Sequence, residues 1–344
     1  MIKTYGVALI GCGQMGAAHL ENIYYKENVN IICVCDVNEE SALKFKKRYN
    51  AEKMTTDINE CISDKDVDIV ICATYPSSHL EILRKCMENG KHLICEKPIT
   101  TNLEEGEEFV RLVKSHPECK VLIGHILRHN QTYKTVAKMI REGAIGKPVI
   151  MRMAQNHHTM NWPRYLKLIE ETSPIVDCGV HYIDVMQWFT GEKITHVSGI
   201  GQRTEPDVPD DKYNYGLISV ELSGGSVGFY EAGGSNTMSS DNLKEFVGPK
   251  GSIKIIYCKD RQTHQEEGDL IEYYKYPEKK YEMINVMGKR KPTDSQFDHL
   301  VKMIEECVEA NPDIDEVFNS FKIALGADEY IRKNKIIIDT EEIK

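Results

Sequence analysis

The chain has 344 residues, 41% of them hydrophobic and 28% charged, and a formal net charge of −10 at neutral pH. That length suits about two domains and that composition an ordinary globular protein. The acidic balance and the lack of a long Lys/Arg block exclude nucleic acid and anionic membrane as the main partner. No apolar run approaches the roughly 18 residues a membrane span needs. The opening MIKTYGVALIGCG runs into glycines rather than a cleavage site, so no secretory signal is expected. Eleven cysteines are scattered without a framework. They are expected to be buried, reduced thiols of a cytoplasmic protein, with Cys33 and Cys35 on one strand face.

Taken in order, YGVALI (5–10) is an apolar strand followed by a helix to about residue 27. NIICVCD (30–36) is a second strand, and Asn38 can cap the helix EESALKFKKRYN. VDIVICAT (67–74) is apolar and β-branched, as a strand buried on both faces should be. A helix runs from about Ser78 to a Gly90 cap, and KHLICE (91–96) is a strand. Asn102 and Glu105 fit a capping box for a helix to about His116, and KVLIGH (120–125) is a last strand. Such alternation with short links predicts a parallel, doubly wound α/β domain over residues 1–124.

The pattern then changes. QTYKTVAKMIREGAIG reads as a helix ending at glycine, and SPIVDCGVHYIDVMQWFTG as a buried helix. Residues 195–277 are mostly strands separated by SGG and GPKG, RTEPDVPDDK (203–212) is a loop, and 294–334 returns to helix. Residues 125–344 are therefore expected to form a second, α+β domain with a mostly antiparallel sheet.

GCGQMG (11–16) fits G-x-G-x-x-G, and its place after a buried strand and at the head of a helix makes it a dinucleotide loop. Gly11 permits the tight turn, Gly13 lets the backbone approach a pyrophosphate, and Gly16 lets helix and strand pack closely. The N–H groups of Gln14 and Met15 face the anion. Asp36 lies twenty residues after Gly16, where an acid binds the adenine ribose hydroxyls. A carboxylate there repels a 2′-phosphate, and Val37 and Asn38 offer no cation, which favours NAD over NADP; Lys44 or Lys46 could reach back.

Glu96, Lys97 and Pro98 follow a parallel strand, at the edge where open α/β sheets bind ligands. Lys97 is expected to project toward the cofactor, unless it is an ordinary solvated lysine. In DCGVHYID (177–184), Asp177, His181 and Asp184 share one helix face. Asp177 and His181 could be an acid–base pair, a satisfied core hydrogen bond, or, with His157, zinc ligands. Gly179 inside the helix points to a close neighbour.

GCGQMG, ATYPSSH (73–79), CEKP (95–98), GHILRHNQTYKTVAKMIREGAIGKP (124–148) and DCGVHYID come in an order and spacing that resemble the Gfo/Idh/MocA oxidoreductases over essentially the whole chain. Tyr75 departs from the family's usual A-T-P and puts the shape of that loop in doubt. The resemblance implies a Rossmann domain joined to a substrate domain with an open sheet, through which members dimerise or tetramerise. It places the catalytic residues on Lys97, Asp177 and His181, adds Ala73, Thr74, His79 and Glu96 to the cofactor site, and makes Arg128, Asn156 and His157 candidates for substrate hydroxyls. Trp162 and Tyr165 could cover a sugar ring. The expected activity is hydride transfer between a secondary alcohol of a polyol or sugar (an inositol, an aldose or a nucleotide sugar) and NAD. His181 takes the proton and Asp177 orients it. A glycosidase using transient oxidation and a non-catalytic dinucleotide sensor are the alternatives.

Overall fold

The computed structural model describes residues 3–159, 161–260 and 267–333. By its contacts the chain divides into two units: residues up to Asn130 with Arg290–Asn319, and Gln131–Lys289 with the residues from Ser320 on. The expected boundary at 124/125 lies six residues before this one, and residues 290–319 belong with the first unit rather than the second.

The first unit alternates strand and helix: β1 Tyr5–Ile10, α1 Gln14–Ile23, β2 Val29–Cys35, α2 Glu39–Tyr49, β3 Lys53–Thr55, α3 Ile58–Ile62, β4 Ile69–Cys72, α4 His79–Glu88, β5 His92–Cys95, α5 Leu103–Ser115 and β6 Val121–Ile123. Asn38 and Asn102 cap α2 and α5, accepting from the N–H groups of Ser41 and Glu105. The six strands are parallel, in the order β3-β2-β1-β4-β5-β6. Every residue of β1 and β4 is buried, which explains their unbroken apolar runs. The order reverses between β1 and β4, and ligands bind outside the carboxyl ends of strands at such a switch point. The glycine loop leaves β1 there, Ala73 and Thr74 leave β4, and Glu96 and Lys97 leave β5.

The second unit begins with α6 Gln131–Arg141, β7 Ile150–His158, α7 Trp162–Glu171, α8 Pro174–Asp177 and α9 Gly179–Thr190. The strands β8 Ile194–Gln202, β9 Tyr215–Leu222, β10 Val227–Ser235, β11 Lys244–Gly248, β12 Gly251–Ile256, β13 Asp269–Lys275 and β14 Lys280–Val286 follow. They form one sheet in the order β14-β13-β12-β11-β7-β10-β9-β8, antiparallel except for the β7–β10 pair. In β9, Ile218, Val220 and Leu222 are buried while Ser219 and Glu221 are exposed, so one face packs inward and the other is polar. The helices α10 Thr293–Glu305 and α11 Ile314–Lys333 close the described chain. Phe297 and Leu300 of α10 join Leu9, Leu20, Val34 and Ile71 in the core of the first unit.

Eight cysteines are buried as expected, but Cys178 is half-buried and Cys258 and Cys307 are exposed. Among the described residues no helix is long and apolar enough to cross a membrane.

Candidate active site

The glycine loop has the shape a dinucleotide requires. Gly11 has φ +99°, and a Cβ on it would stand 2.5 Å from the Ala73 carbonyl oxygen. A Cβ on Gly16 would stand 2.1 Å from the Gly11 oxygen, so this glycine allows helix and loop to touch. Around Gly13 a Cβ would meet nothing within 4 Å. Gly13 is the N-cap of α1 and offers no side chain to its first N–H groups, and the first turn holds no acid. The end of α1 at Gln14 and Met15 therefore keeps its positive field, beside open space, for an anion. Asp36 follows β2; its Oδ2 accepts from the Cys12 N–H at 2.8 Å and its Oδ1 from the Asn38 N–H at 2.8 Å. This carboxylate thus braces the glycine loop from the position where a ribose would lie. Lys44 pairs with Glu40 at 3.0 Å along its own helix.

At the end of β5, Glu96 is 6% exposed and its Oε1 lies 2.9 Å from Nε2 of His19, which is 1% exposed. Burial alone would raise the Glu96 pKa; the His19 hydrogen bond and the charges of Lys97 and His79 outweigh it and hold the carboxyl below its ordinary range. The pair ties the glycine-loop helix to the strand that delivers Lys97, which is half-buried and precedes a cis Pro98. Thr74 Oγ1 accepts from Ser78 at 2.7 Å. Tyr75 caps a short 3-10 turn, Pro76–Ser78, through its carbonyl, which accepts from the Ser78 N–H and hydroxyl, so the departure at this position leaves a regular turn. His79 is fully buried. Its Nδ1 lies 3.0 Å from the Pro98 carbonyl and its Nε2 3.3 Å from the Thr74 carbonyl. His79 thus holds the loop after β4 and the loop after β5 together through their backbone carbonyls.

In the second unit the helix predicted over SPIVDCGVHYIDVMQWFTG is two helices. Cys178 separates α8 from α9, and the His181 N–H bonds the Cys178 carbonyl at 3.2 Å, a tightened turn. Asp177 and His181 flank this joint and are both half-buried, whereas Asp184 is 2% exposed. The Cys178 thiol donates to Asp177 Oδ2 at 3.4 Å. A Cβ on Gly179 would make only ordinary contacts of 3.5 Å with Ile175 and Tyr230, so the close neighbour inferred for this glycine is an aromatic ring at normal distance.

Asn156 and His157 lie in the stretch QNHH (155–158), which ends β7, and strand alternation splits it. Gln155 and His157 point one way: the Tyr182 hydroxyl donates to Gln155 at 2.7 Å, and the Gln155 amide meets His157 Nε2 at 3.1 Å. Asn156 points the other way and donates to Glu231 at 2.7 Å. Tyr182 belongs to α9, so the face holding His157 is the face the helices cover. Arg128 is 4% exposed, and its guanidinium meets Asn311 at 3.2 Å and Glu316 at 3.3 Å inside the first unit. Asn156 and Arg128 are thus engaged by partners within the fold. His157, Asp177 and His181 do not gather as a metal triad; among the described residues the cluster with ligand spacing is Cys72, His79 and Cys95.

Family models match both parts of the chain. The model described as an oxidoreductase family with an NAD-binding Rossmann fold covers residues 5–125, and the family's C-terminal domain covers 133–254. The chain belongs to the Gfo/Idh/MocA oxidoreductase family. Among relatives in the family, the scyllo-inositol 2-dehydrogenase (NAD(+)) of Bacillus subtilis is 28% identical over 253 residues, 72% of each chain. The crystal structure of myo-inositol 2-dehydrogenase from Lactobacillus plantarum has the same fold, with a TM-score of 0.81 at 19% identity over 96% of this chain and 97% of that one. A putative NADPH-dependent oxidoreductase from Desulfitobacterium hafniense is as similar in fold, with a TM-score of 0.81 at 18% identity over 97% of each chain.

Around these family motifs stand Tyr165, an aromatic already expected near the site, and Lys244, which motif reading missed. Tyr165 packs against Gly234, where a Cβ would come within 2.6 Å of its ring. Burial, with Cys178 and Asp177 nearby, pushes its hydroxyl pKa up. Lys244 is 0% exposed and donates to the Ala154 carbonyl, with its ammonium 4.5 Å from the centre of the Tyr182 ring. Burial lowers its pKa to about 7, against the opposing pull of Asp241 and Cys178. A signal for Lys244 existed: it stands two residues before Phe246, on the inward face of β11.

Proposed function

We propose that the chain is an NAD-dependent dehydrogenase that oxidises a secondary alcohol of a polyol or sugar, an inositol in the first instance. The observation that carries the reading is the opening over Gly13 at an uncapped helix N-terminus, closed on either side by Gly11 and Gly16 and braced by Asp36. The relatives named as inositol 2-dehydrogenases support the substrate class. Asp36 supports NAD, since its charge disfavours a 2′-phosphate and Lys44 is turned to Glu40.

Bound nicotinamide supplies the acceptor for the hydride. His181 takes the hydroxyl proton, because an imidazole titrates near neutral pH. Asp177 orients that ring and stabilises its charged form. Lys97 hydrogen-bonds the reacting oxygen, and the buried Glu96–His19 pair holds the strand end that carries it. Ala73 and Thr74 flank the cofactor, and His157 contacts a further hydroxyl. The test is a panel of inositols, aldoses and nucleotide sugars with NAD and NADP, following absorbance of the reduced cofactor. At least one polyol or sugar should reduce NAD with a higher kcat/KM than NADP. Substrate cleavage without net reduced cofactor, or no reduction with any member, overturns the reading.

A further inference from the structure

Cys72, His79 and Cys95 have no part in the reaction proposed above. All three are 0% exposed. Cys72 and Cys95 are direct partners on the adjacent parallel strands β4 and β5, so their side chains leave the sheet on one face. His79, the first residue of α4, brings its ring to the same place. One ligand atom from each lies within 4.8 Å of the others. Zinc bonds of about 2.0–2.3 Å need ligand atoms roughly 3.5–3.8 Å apart, so a contraction of about 1 Å would close a tetrahedron.

Both ring nitrogens of His79 face backbone carbonyl oxygens. Its Nδ1 meets the Pro98 carbonyl at 3.0 Å, the backbone contact that orients most metal-bound imidazoles. In that tautomer Nε2 carries a lone pair, yet it faces the Thr74 carbonyl oxygen at 3.3 Å. Two lone pairs turned on each other in a dry site repel, and a positive charge between them removes the conflict. A proton would do so by leaving an imidazolium beside a thiolate. A soft dication does so by taking both sulfurs from weak contacts, Cys95 Sγ with the Glu96 carbonyl at 3.4 Å and Cys72 Sγ with the Thr74 hydroxyl at 3.3 Å; two thiolates, a neutral imidazole and a 2+ ion sum to zero, as a buried site demands.

We propose that Cys72, His79 and Cys95, with the Thr74 carbonyl as fourth ligand, form a structural site for a thiophilic d10 dication of the zinc class. The ion would join the ends of β4 and β5, just before Thr74 and Lys97 leave the sheet.

The test uses the full-length chain produced in zinc-supplemented medium, in a C258S/C307S background that removes the two exposed thiols. About one zinc per chain is expected, with an X-ray absorption shell holding sulfur at about 2.3 Å. The further change C72S/C95S should lower the zinc content at least tenfold. A wild-type-like chain without zinc, a shell without sulfur, or equal zinc in the presence and absence of the two cysteines overturns the proposal in favour of the imidazolium–thiolate pair. If C72S/C95S fails to fold, metal content and absorption of the parent decide by themselves.

Discussion

Two glycines three residues apart, Gly13 at the N-cap of α1 and Gly16 in its first turn, do opposite things. Gly13 has φ −93° and ψ −161°, a backbone open to any residue, and space around its Cβ position. Gly13→Ala should therefore leave the melting temperature nearly unchanged while weakening NAD binding at least tenfold, since the methyl occupies the space the diphosphate needs. Gly16→Ala drives a methyl against the Gly11 carbonyl and should cost about 1–3 kcal/mol by denaturant titration, as overpacking does. Similar stability losses in the two variants would sink this division of labour. His181→Ala should lower turnover by about 10²–10⁴, the usual contribution of a general base, with the NAD dissociation constant nearly intact. Turnover near wild type with a good substrate would remove His181 from its assigned role.

At the scale of elements, the packing of α9 on β7, β10 and β11 traps Lys244 beneath Tyr182, and Tyr182 stacks on Tyr230 with ring centres 4.4 Å apart. The buried amine has a consequence for stability. Its pKa falls from 10.5 in the open chain to about 7 in the fold. Between those values the unfolded chain holds more protons, so stability rises with pH across that window. The rise amounts to roughly 5 kcal/mol if Lys244 acts alone. Below about pH 7 the fold must bury the charged ammonium among Tyr182, Cys178, Asp241, Lys259 and Asp260. Lys244→Met should flatten this dependence, and urea midpoints at pH 7 and pH 10 in both proteins measure it. Parallel pH dependences in the two would show that Lys244 keeps its ordinary pKa in the fold.

At the scale of the whole molecule, the first unit is discontinuous in sequence. Phe297, Leu300, Val301 and Met303 of α10 are buried in its core. At about 1.5–3 kcal/mol for each such side chain they contribute roughly 6–12 kcal/mol, comparable with the about 5–15 kcal/mol that holds a domain together. A fragment ending at residue 130 should therefore fail to fold, although it contains every strand of the parallel sheet. The same fragment joined to residues 290–319 by a flexible linker should fold and gain melting temperature with added NAD. Cooperative unfolding of the shorter fragment would show that the returning segment is dispensable.

Much of this was legible because it is local. Glycine spacing, the Asn38 and Asn102 caps and the strand–helix alternation each depend on neighbours within a few residues, and the structure has all of them. The resemblance in CEKP and DCGVHYID led to the family, which the family models confirm. The three-residue β3 and the whole of β7, Ile150–His158, were missed, because β3 is too short to carry a period and the inward face of β7 turns polar at Gln155 and His157. The roles of single side chains were less readable. Only the packed chain shows His79 holding two loops together through their backbone carbonyls, and Asn156 and His157 read as neighbours until the pleat sends them to opposite faces. An amphipathic helix such as α10 announces that it needs a partner, but its sequence does not say which. By itself the sequence determined the local turns, the periods and the motif chemistry. The tertiary structure decided which distant surfaces meet, because burial rewards any complementary apolar face and only the packed chain selects one.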